Sequence, residues 1–310
     1  MSENEIETLK NTLLFELTKA LGLAPDGLPG RAIRPLFGRA ARRFAGIGVE
    51  LDRIVAGQGV AAGARWVLPR FVKDHVARGL ECIPPDGPLV IAANHPAACD
   101  SLVISAHVER PDYKIIVGDI PFFEHLPHVS QHAIYAPGPD DAHGRMEVIR
   151  KAIRHLQDGG ALLIFARGGI EPDPDLMPGA DAEFGLWSRS LEIFLKRVPR
   201  TRVLVTIVSG VIARAAYRHP FARLRRSRPD RQRLAFMLQM IRQTLTGREL
   251  FGLTPRVSFG DLIGLPENGD TGQALQTITE SARRLLQSHL AWTSWTPKPP
   301  DLGTLDSKIS

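Results

Sequence analysis

The chain has 310 residues, of which 44% are apolar and 23% are charged, and its formal net charge is +6. This composition excludes an intrinsically disordered protein, and the length suits one large domain with an appendage or two modest domains. The basic excess favours an anionic partner, such as a phosphorylated small molecule, coenzyme A, an acidic membrane surface or nucleic acid.

Neither export nor a membrane span is indicated. Residues 1–10 are acidic and polar, unlike a signal peptide, and Cys82 and Cys99 form neither a C-x-x-C motif nor a disulfide framework. A spanning helix needs roughly 18 apolar residues, whereas the best candidate, residues 203–213, is too short and contains Thr206. The sequence therefore predicts a cytoplasmic protein that is soluble or attached peripherally to the cell membrane.

The first part of the chain predicts two helices. Apolar residues recur at near-helical spacing over residues 4–21 and again over 31–46, where arginines lie between the apolar positions. A basic amphipathic helix of this kind can lie in a lipid interface. Its apolar stripe can also pack on the protein's own core while the arginines face solvent, and the sequence leaves both interpretations open. The arginines are Arg31, Arg34, Arg39, Arg42 and Arg43.

From about residue 78 onwards, short apolar runs alternate with longer amphipathic stretches. Strands are predicted over 88–93, 114–118, 132–136, 161–166, 202–209 and 256–259. Helices are predicted over 101–109, 142–157, 183–197, 231–246 and 271–290. This alternation predicts an α/β fold with a largely parallel central sheet flanked by helices. We divide the chain into an N-terminal helical extension, the α/β domain and a C-terminal tail, at residues 1–77, 78–292 and 293–310.

Polar residues follow two of the predicted strands. His95 and Asp100 lie directly after strand 88–93, and the glycine-rich segment 166–175 follows strand 161–166. Because ligands bind at the carboxyl ends of parallel strands, we expect both segments to share one cleft. With Asp100 in the first helical turn, its carboxylate can orient His95 as a general base that activates a hydroxyl. The spacing alone also allows Asp100 to be a helix cap and His95 an ordinary loop residue.

The residues around this pair resemble the glycerolipid acyltransferases, the lysophosphatidic acid acyltransferase-like family. Asn94 and His95 with Asp100 match that family's Asn-His-x4-Asp signature. The family's second block, usually Phe-Pro-Glu-Gly-Thr, is represented by residues 165–169, and a further apolar block by residues 204–210. The resemblance covers roughly residues 78–215 and implies an α/β acyltransferase.

Two departures from the family concern the acceptor. Arg167 stands where the family carries glutamate, and residues 134–141 lack the arginine that the family has there, so that the next arginine is Arg145. Arg167 either holds an acceptor phosphate by two parallel hydrogen bonds or pairs with Glu171 or Asp173 and shapes the loop. These two acids, together with Asp175, are predicted to lie on a solvated loop rim. Substrate binding is assigned to Asn94, Arg145, Arg167, Gly168 and Gly169.

The resemblance implies a reaction that needs no metal and no cofactor. The donor is an acyl thioester, either acyl-CoA or acyl-carrier protein, and the acceptor is a lysophospholipid or a related glycerol phosphate. His95 takes the proton from the acceptor hydroxyl, Asp100 orients His95, and backbone N–H groups near residues 96–101 stabilise the oxyanion. The alternative is a non-catalytic relative that binds lipid at the membrane.

A group of three histidines suggests a metal site. His125, His128 and His132 lie close enough in sequence to suggest metal binding, although Pro127 interrupts the helix that would align them. A metal-dependent hydrolase is therefore a third and weaker hypothesis.

Two features near the end of the chain are open to interpretation. Residues 223–233 hold six arginines, which either bind anionic lipid headgroups or coenzyme A phosphates or form a solvated basic face. The segment has neither interleaved aromatic residues nor a recognisable nucleic-acid-binding motif, so we expect no nucleic-acid partner. Trp292 and Trp295 are either interfacial anchors or packing residues.

Overall fold

The structure is a computed structural model that describes residues 3–20, 27–118, 120–138 and 141–293. The helices are α1 (Glu3–Ala20), α2 (Leu28–Val67), α3 (Asp100–Ser105), α4 (Pro121–Glu124), α5 (Pro127–Gln131), α6 (Ala142–Gln157), α7 (Ala180–Glu183), α8 (Ser190–Arg197), α9 (Arg214–Tyr217), α10 (Pro220–Arg223), α11 (Arg228–Thr246) and α12 (Thr271–Thr293). The strands are β1 (Val76–Arg78), β2 (Leu89–Ala93), β3 (Tyr113–Gly118), β4 (Ala133–Ala136), β5 (Ala161–Phe165), β6 (Arg202–Ser209) and β7 (Arg256–Ile263).

The described strands form one sheet in the order β1-β7-β6-β2-β5-β3-β4. Neighbouring strands are parallel, except that β6 and β7 run antiparallel. Strand β2 is buried along its whole length, as expected for a strand covered on both faces. The predicted α/β fold with a largely parallel sheet is therefore confirmed, and the short β1 is a strand that the sequence did not predict.

Helices cover both faces of this sheet. On one face, the C-terminal part of α2 packs with α3 and α11, and on the other face α6, α8 and α12 pack together. Strand β2 lies between β5 and β6, near the middle of the sheet. The loop that follows β2 therefore leaves the centre of the sheet's carboxyl edge, where parallel sheets bind their ligands.

Helix α2 is longer than the predicted helix over 31–46. Gly48 lies inside this helix and permits close packing, because a Cβ there would come within 2.6 Å of the Phe122 ring. The helix is interrupted only further along, at Gly59, whose φ of 84° is a conformation that glycine adopts without strain.

Part of the apolar stripe predicted over 31–46 packs within the protein, whereas Leu36 is 68% exposed. Leu14 and Ala41 are buried between α1 and α2. Arg42 pairs with two glutamates of α1, and Arg43 donates hydrogen bonds to backbone carbonyls at the end of α11. For these residues the structure shows internal packing. The side chains of two further arginines, Arg31 and Arg34, lie outside the described residues.

The later helices differ from the prediction mainly at their ends. The helix predicted over 183–197 is regular only from Ser190, because a 3₁₀ turn precedes it. Trp292 lies 5.0 Å from the guanidinium of Arg78 and so packs against the domain. Trp295 and the rest of the predicted tail after residue 293 lie outside the described residues. Among the helices that the structure describes, none is long and apolar enough to cross a membrane.

Candidate active site

His95 and Asp100 lie together at the carboxyl end of β2. The imidazole Nδ1 is 2.9 Å from Asp100 Oδ2. The Asp100 side chain is fully buried and also accepts the backbone N–H groups of Ala97, at 3.0 Å, and Ser101, at 2.7 Å. Asp100 therefore orders the turn that carries His95 as well as the imidazole itself. Since Nδ1–H donates to this carboxylate, Nε2 is the ring nitrogen left to accept a proton.

The surroundings of His95 make it a stronger base than an ordinary histidine. Its ring stacks on Phe165 at the end of β5, with the ring centres 4.1 Å apart. This burial alone lowers the pKa of His95, but the nearby Asp100 and Glu171 carboxylates outweigh it and raise this pKa above its usual value. An imidazole with a raised pKa, bonded to a buried carboxylate, is suited to general-base chemistry.

Glu171 is a site residue that sequence reasoning missed. The backbone N–H of His95 donates to Glu171 Oε2 at 2.6 Å, and the Glu171 N–H donates to the His95 carbonyl at 2.8 Å. The other carboxylate oxygen, Oε1, accepts the indole N–H of Trp187 at 3.0 Å. Burial raises the pKa of Glu171 to about 7, against the opposing effect of its N–H donors. Glu171 therefore holds the backbone of His95, while Asp100 holds its ring.

The prediction of a solvated loop rim is wrong for Glu171 and Asp173, which are both buried. Asp173 accepts the backbone N–H groups of Gly210, Val211 and Ile212 at 2.8–3.1 Å, directly after β6. Burial raises the pKa of Asp173 to about 6. The loop after β5 is thus fastened to the loops after β2 and β6, and this makes one rigid carboxyl edge.

A cleft of about 350 Å³ opens beside His95. Gly168 and Gly169 form part of its wall, as the sequence predicted for one shared cleft, and so do Gln232 and Arg233 of α11. Gln232 is buried and donates to the carbonyls of Pro96 and Glu171. The positive charge of Arg233 opposes the effect of the two carboxylates and lowers the pKa of His95. Neither α11 residue was assigned to the site from the sequence.

Arg167 has a different partner from either that the sequence suggested. Its Nε donates to Glu183 of α7, and Arg228 of α11 donates to the same carboxylate at 2.7 Å. Glu183 therefore bridges two arginines at the rim. Glu171 and Asp173, the partners proposed from the sequence, are engaged with backbone N–H groups instead.

The two other predicted substrate contacts lie away from the cleft wall. Asn94 is buried, and its amide exchanges two hydrogen bonds with the backbone of Val208, at 2.8 and 2.9 Å. This geometry gives Asn94 a structural role, since it fastens the end of β2 to β6. Arg145 lies on the exposed first turn of α6 and is not among the described residues that line the cleft.

An apolar cavity of about 200 Å³ adjoins the cleft. Ala98 and Phe236 line both spaces. Helix α2 forms one wall of the cavity, and α3, α5, α11 and β3 contribute the others. Among the residues that line it are Phe44, Ile47, Leu51, Leu102, Val117 and Met240.

The three histidines considered as metal ligands are held by other groups or lie apart. His128 Nδ1 is 2.8 Å from Asp52 of α2, and His132 Nδ1 is 2.8 Å from the Tyr113 carbonyl. His125 is exposed. Within the part of the chain that the structure describes, no three His, Cys, Asp or Glu side chains are grouped to hold a metal ion.

Residues 75–197 match the model of the Acyltransferase family. Among solved structures, the chain is similar to the crystal structure of PlsC from Thermotoga maritima, titled 1-acyl-sn-glycerophosphate (LPA) acyltransferase. The sequences are 14% identical, the alignment covers 96% of this chain and 100% of that chain, and the TM-score is 0.48. No curated protein matches the chain. The family match includes the His95 loop and confirms the resemblance that the sequence indicates.

Proposed function

Residues 75–197 match the Acyltransferase family, and from this premise we propose that the chain moves a fatty acyl group from a thioester to a hydroxyl. The acceptor is a lysophospholipid or a related glycerol phosphate, and the donor is acyl-CoA or acyl-carrier protein. The observation that carries the proposal is the His95–Asp100 pair, which lies in a cleft that adjoins an apolar cavity.

In the proposed reaction a single side chain, His95, accepts and returns the proton. His95 Nε2 removes the proton from the acceptor hydroxyl as its oxygen attacks the thioester carbonyl carbon. The tetrahedral intermediate then collapses, the carbon–sulfur bond breaks, and the departing thiolate takes the proton from the imidazolium. Asp100 holds the imidazole in one tautomer and stabilises its protonated form. The products are an ester and a free thiol, and no covalent enzyme intermediate forms.

The oxyanion of the tetrahedral intermediate must be stabilised by N–H donors. In the turn at residues 96–101, where these donors were predicted, two N–H groups already donate to a carboxylate. The N–H groups of Ala97 and Ser101 both donate to Asp100. We therefore assign this role to the backbone N–H groups of Ala98 and Gly169, which lie on the cleft wall. One donor of this type typically lowers the barrier by about 3–4 kcal/mol.

We propose that the fatty chain of the donor occupies the apolar cavity. Ile47→Trp fills part of the cavity from α2, and we expect the preferred acyl-CoA to become shorter. Each methylene that no longer fits costs about 1–3 kcal/mol, so the longest chains should lose at least tenfold in kcat/KM. The measurement is kcat/KM over a series of acyl-CoA chain lengths. Ala56→Trp introduces the same side chain at an exposed position of α2 and should leave the profile unchanged.

We propose that Arg233 contacts the acceptor phosphate, because it is the arginine that lines the same cleft as His95. Arg233→Ala should raise KM about tenfold or more for a phosphorylated acceptor, since a charge-assisted hydrogen bond contributes about 1.5–3 kcal/mol. An uncharged acceptor such as a monoacylglycerol should be little affected. Arg167→Ala serves as the matched control, because Arg167 pairs with Glu183, and it should affect both acceptors alike. An equal loss for both acceptors in Arg233→Ala would remove the phosphate contact.

The proposed function is tested with purified protein, labelled acyl-CoA or acyl-carrier protein, and a panel of lysophospholipid and glycerol-phosphate acceptors. A new ester, identified by mass, supports the acyltransferase. Binding of lipid without product from any donor and acceptor pair would favour the non-catalytic lipid-binding alternative. We also propose that the protein works at the cytoplasmic face of the membrane, since the acceptors considered are membrane lipids and the chain is basic.

A further inference from the structure

A basic and apolar surface lies between β6 and α11. Residues 210–229 contain six arginines and no acidic residue. Within this segment, two short helices, α9 and α10, carry side chains that are exposed. We call this the α9–α10 surface, and it consists of Arg214, Arg218, Phe221, Arg223, Leu224, Arg225 and Arg226.

Two large apolar side chains belong to this surface. Phe221 is 61% exposed and Leu224 is 76% exposed. They are three residues apart, so they project from the same side of the α10 turn. Large side chains that are exposed this far, as neighbours and among like charges, mark a contact surface.

The arginines of the α9–α10 surface differ from the other arginines considered for membrane contact. Within the described residues, none of the five has an acidic partner. Three arginines of the adjacent α11 are engaged: Arg228 with Glu183, Arg231 with Tyr217, and Arg233 weakly with Asp230. On α2, Arg42 pairs with glutamates of α1. The α9–α10 surface therefore brings five arginines without acidic partners together in one short stretch of the chain.

The α9–α10 surface lies at the same edge of the sheet as the candidate active site. It begins just after the carboxyl end of β6, and His95 follows the carboxyl end of the neighbouring parallel strand β2. It is followed directly by α11, whose Gln232, Arg233 and Phe236 line the cleft. The guanidinium of Arg231 lies 4.0 Å from the Tyr217 ring and fastens α9 to α11. A partner bound to this surface is thus held beside the cleft.

We propose that the α9–α10 surface docks on an anionic lipid bilayer. Phe221 and Leu224 enter the interfacial region, and the arginines contact headgroup phosphates. Charge complementarity favours this partner, because five exposed arginines without acidic partners in the described residues lie in the same short segment as two exposed apolar side chains. The proposal rests on the proposed function in one respect, because a cleft that takes a membrane lipid as acceptor has to face the bilayer.

The test is sedimentation of the full-length protein with phosphatidylcholine vesicles that contain or lack phosphatidylglycerol. The wild type should bind the anionic vesicles, and added salt should weaken this binding. Each arginine near the surface strengthens binding about fivefold, so Arg225→Gln/Arg226→Gln should lower the partition coefficient about 25-fold. Phe221→Ala/Leu224→Ala should lower it more than tenfold and leave its salt dependence intact.

The matched control is Arg197→Gln/Arg200→Gln, which removes the same charge from exposed positions at the opposite edge of the sheet and should bind as the wild type does. Unchanged binding in both α9–α10 variants, an equal loss in the control, or equal wild-type binding to neutral vesicles would overturn the proposal. Stronger binding to an oligonucleotide than to anionic vesicles would also overturn it.

Acyl transfer between a soluble short-chain donor and a soluble acceptor tests the proposed function independently of bilayer docking. Both surface variants should retain this activity, because the substituted side chains lie outside the cleft wall. Transfer without surface-dependent vesicle binding would overturn the docking surface alone. Surface-dependent vesicle binding without transfer from any donor would count against the proposed function alone.

Discussion

Replacing His95 with alanine should lower kcat for acyl transfer by about 100- to 10,000-fold, which is the usual contribution of a general base. The reason is that His95 Nε2 is the base beside the cleft, while Nδ1 is bonded to the buried Asp100. Asp100→Asn should cost less, because the geometry can survive while the imidazolium loses its carboxylate. The measurement is kcat with acyl-CoA, together with the melting temperature to verify folding.

A second His–Asp pair in the same molecule supplies the control. His128 Nδ1 is 2.8 Å from Asp52, a distance close to that of the active-site pair, but His128 does not line the cleft. His128→Ala should therefore leave kcat near the wild-type value. Near wild-type turnover in His95→Ala would show that the proposed mechanism is incorrect.

The second large effect is expected at Glu171, which acts as a positioning residue. Its two oxygens accept N–H groups from His95 and Trp187. A glutamine offers only one acceptor, so its amide must turn an NH₂ group toward one of these donors. A buried donor without an acceptor costs about 1–3 kcal/mol, and we expect Glu171→Gln to lower kcat about 10- to 100-fold with little change in KM.

The pH profile distinguishes this role from a loss of stability. Burial raises the pKa of Glu171 to about 7, and the protonated acid cannot accept both N–H groups. The wild-type rate should therefore rise through neutral pH as Glu171 ionises and as His95, whose pKa is also raised, loses its proton. In Glu171→Gln only the deprotonation of His95 remains, so the rate of acyl transfer should rise less steeply with pH. A mutant with the wild-type rate and profile would contradict the positioning role.

A double substitution gives a further check. Trp187→Phe removes the competing donor, so that the glutamine carbonyl in Glu171→Gln/Trp187→Phe can turn to the His95 N–H. We expect the double variant to be more active than Glu171→Gln alone. A structural defect would instead worsen when Phe replaces the buried indole, and the melting temperatures would fall together with the rates.

The sequence predicted the local features of this protein well. Strand β2 is a continuous apolar run, and His95 and Asp100 are only five residues apart, so a short motif carries both the turn and the pair. The long-range contacts were not predictable in this way. Glu171 lies 76 residues after His95, and its partner Trp187 comes from a third segment.

One signal for Glu171 was nevertheless present in the sequence. Glu171 and Asp173 alternate with prolines, which favour an extended chain, and alternate residues of an extended chain face the same side. Both acids therefore face the core together. The composition of the segment suggested a solvated rim, but backbone N–H groups from neighbouring loops satisfy these carboxylates. Arg233 was not identified for another reason, because the basic run 223–233 does not show which arginine lies beside the cleft.

The wall that α2 contributes to the apolar cavity has a consequence for how this enzyme can diversify. The proposed catalytic pair lies within residues 75–197, whereas Ile47 and Leu51 belong to a helix that precedes them. The α2 wall of the proposed acyl site is therefore encoded in a different stretch of the gene from the proposed base. Substitutions in α2 can change which acyl chains fit the cavity while His95 and Asp100 stay unaltered, and recombination at the junction after α2 would exchange this wall in a single step.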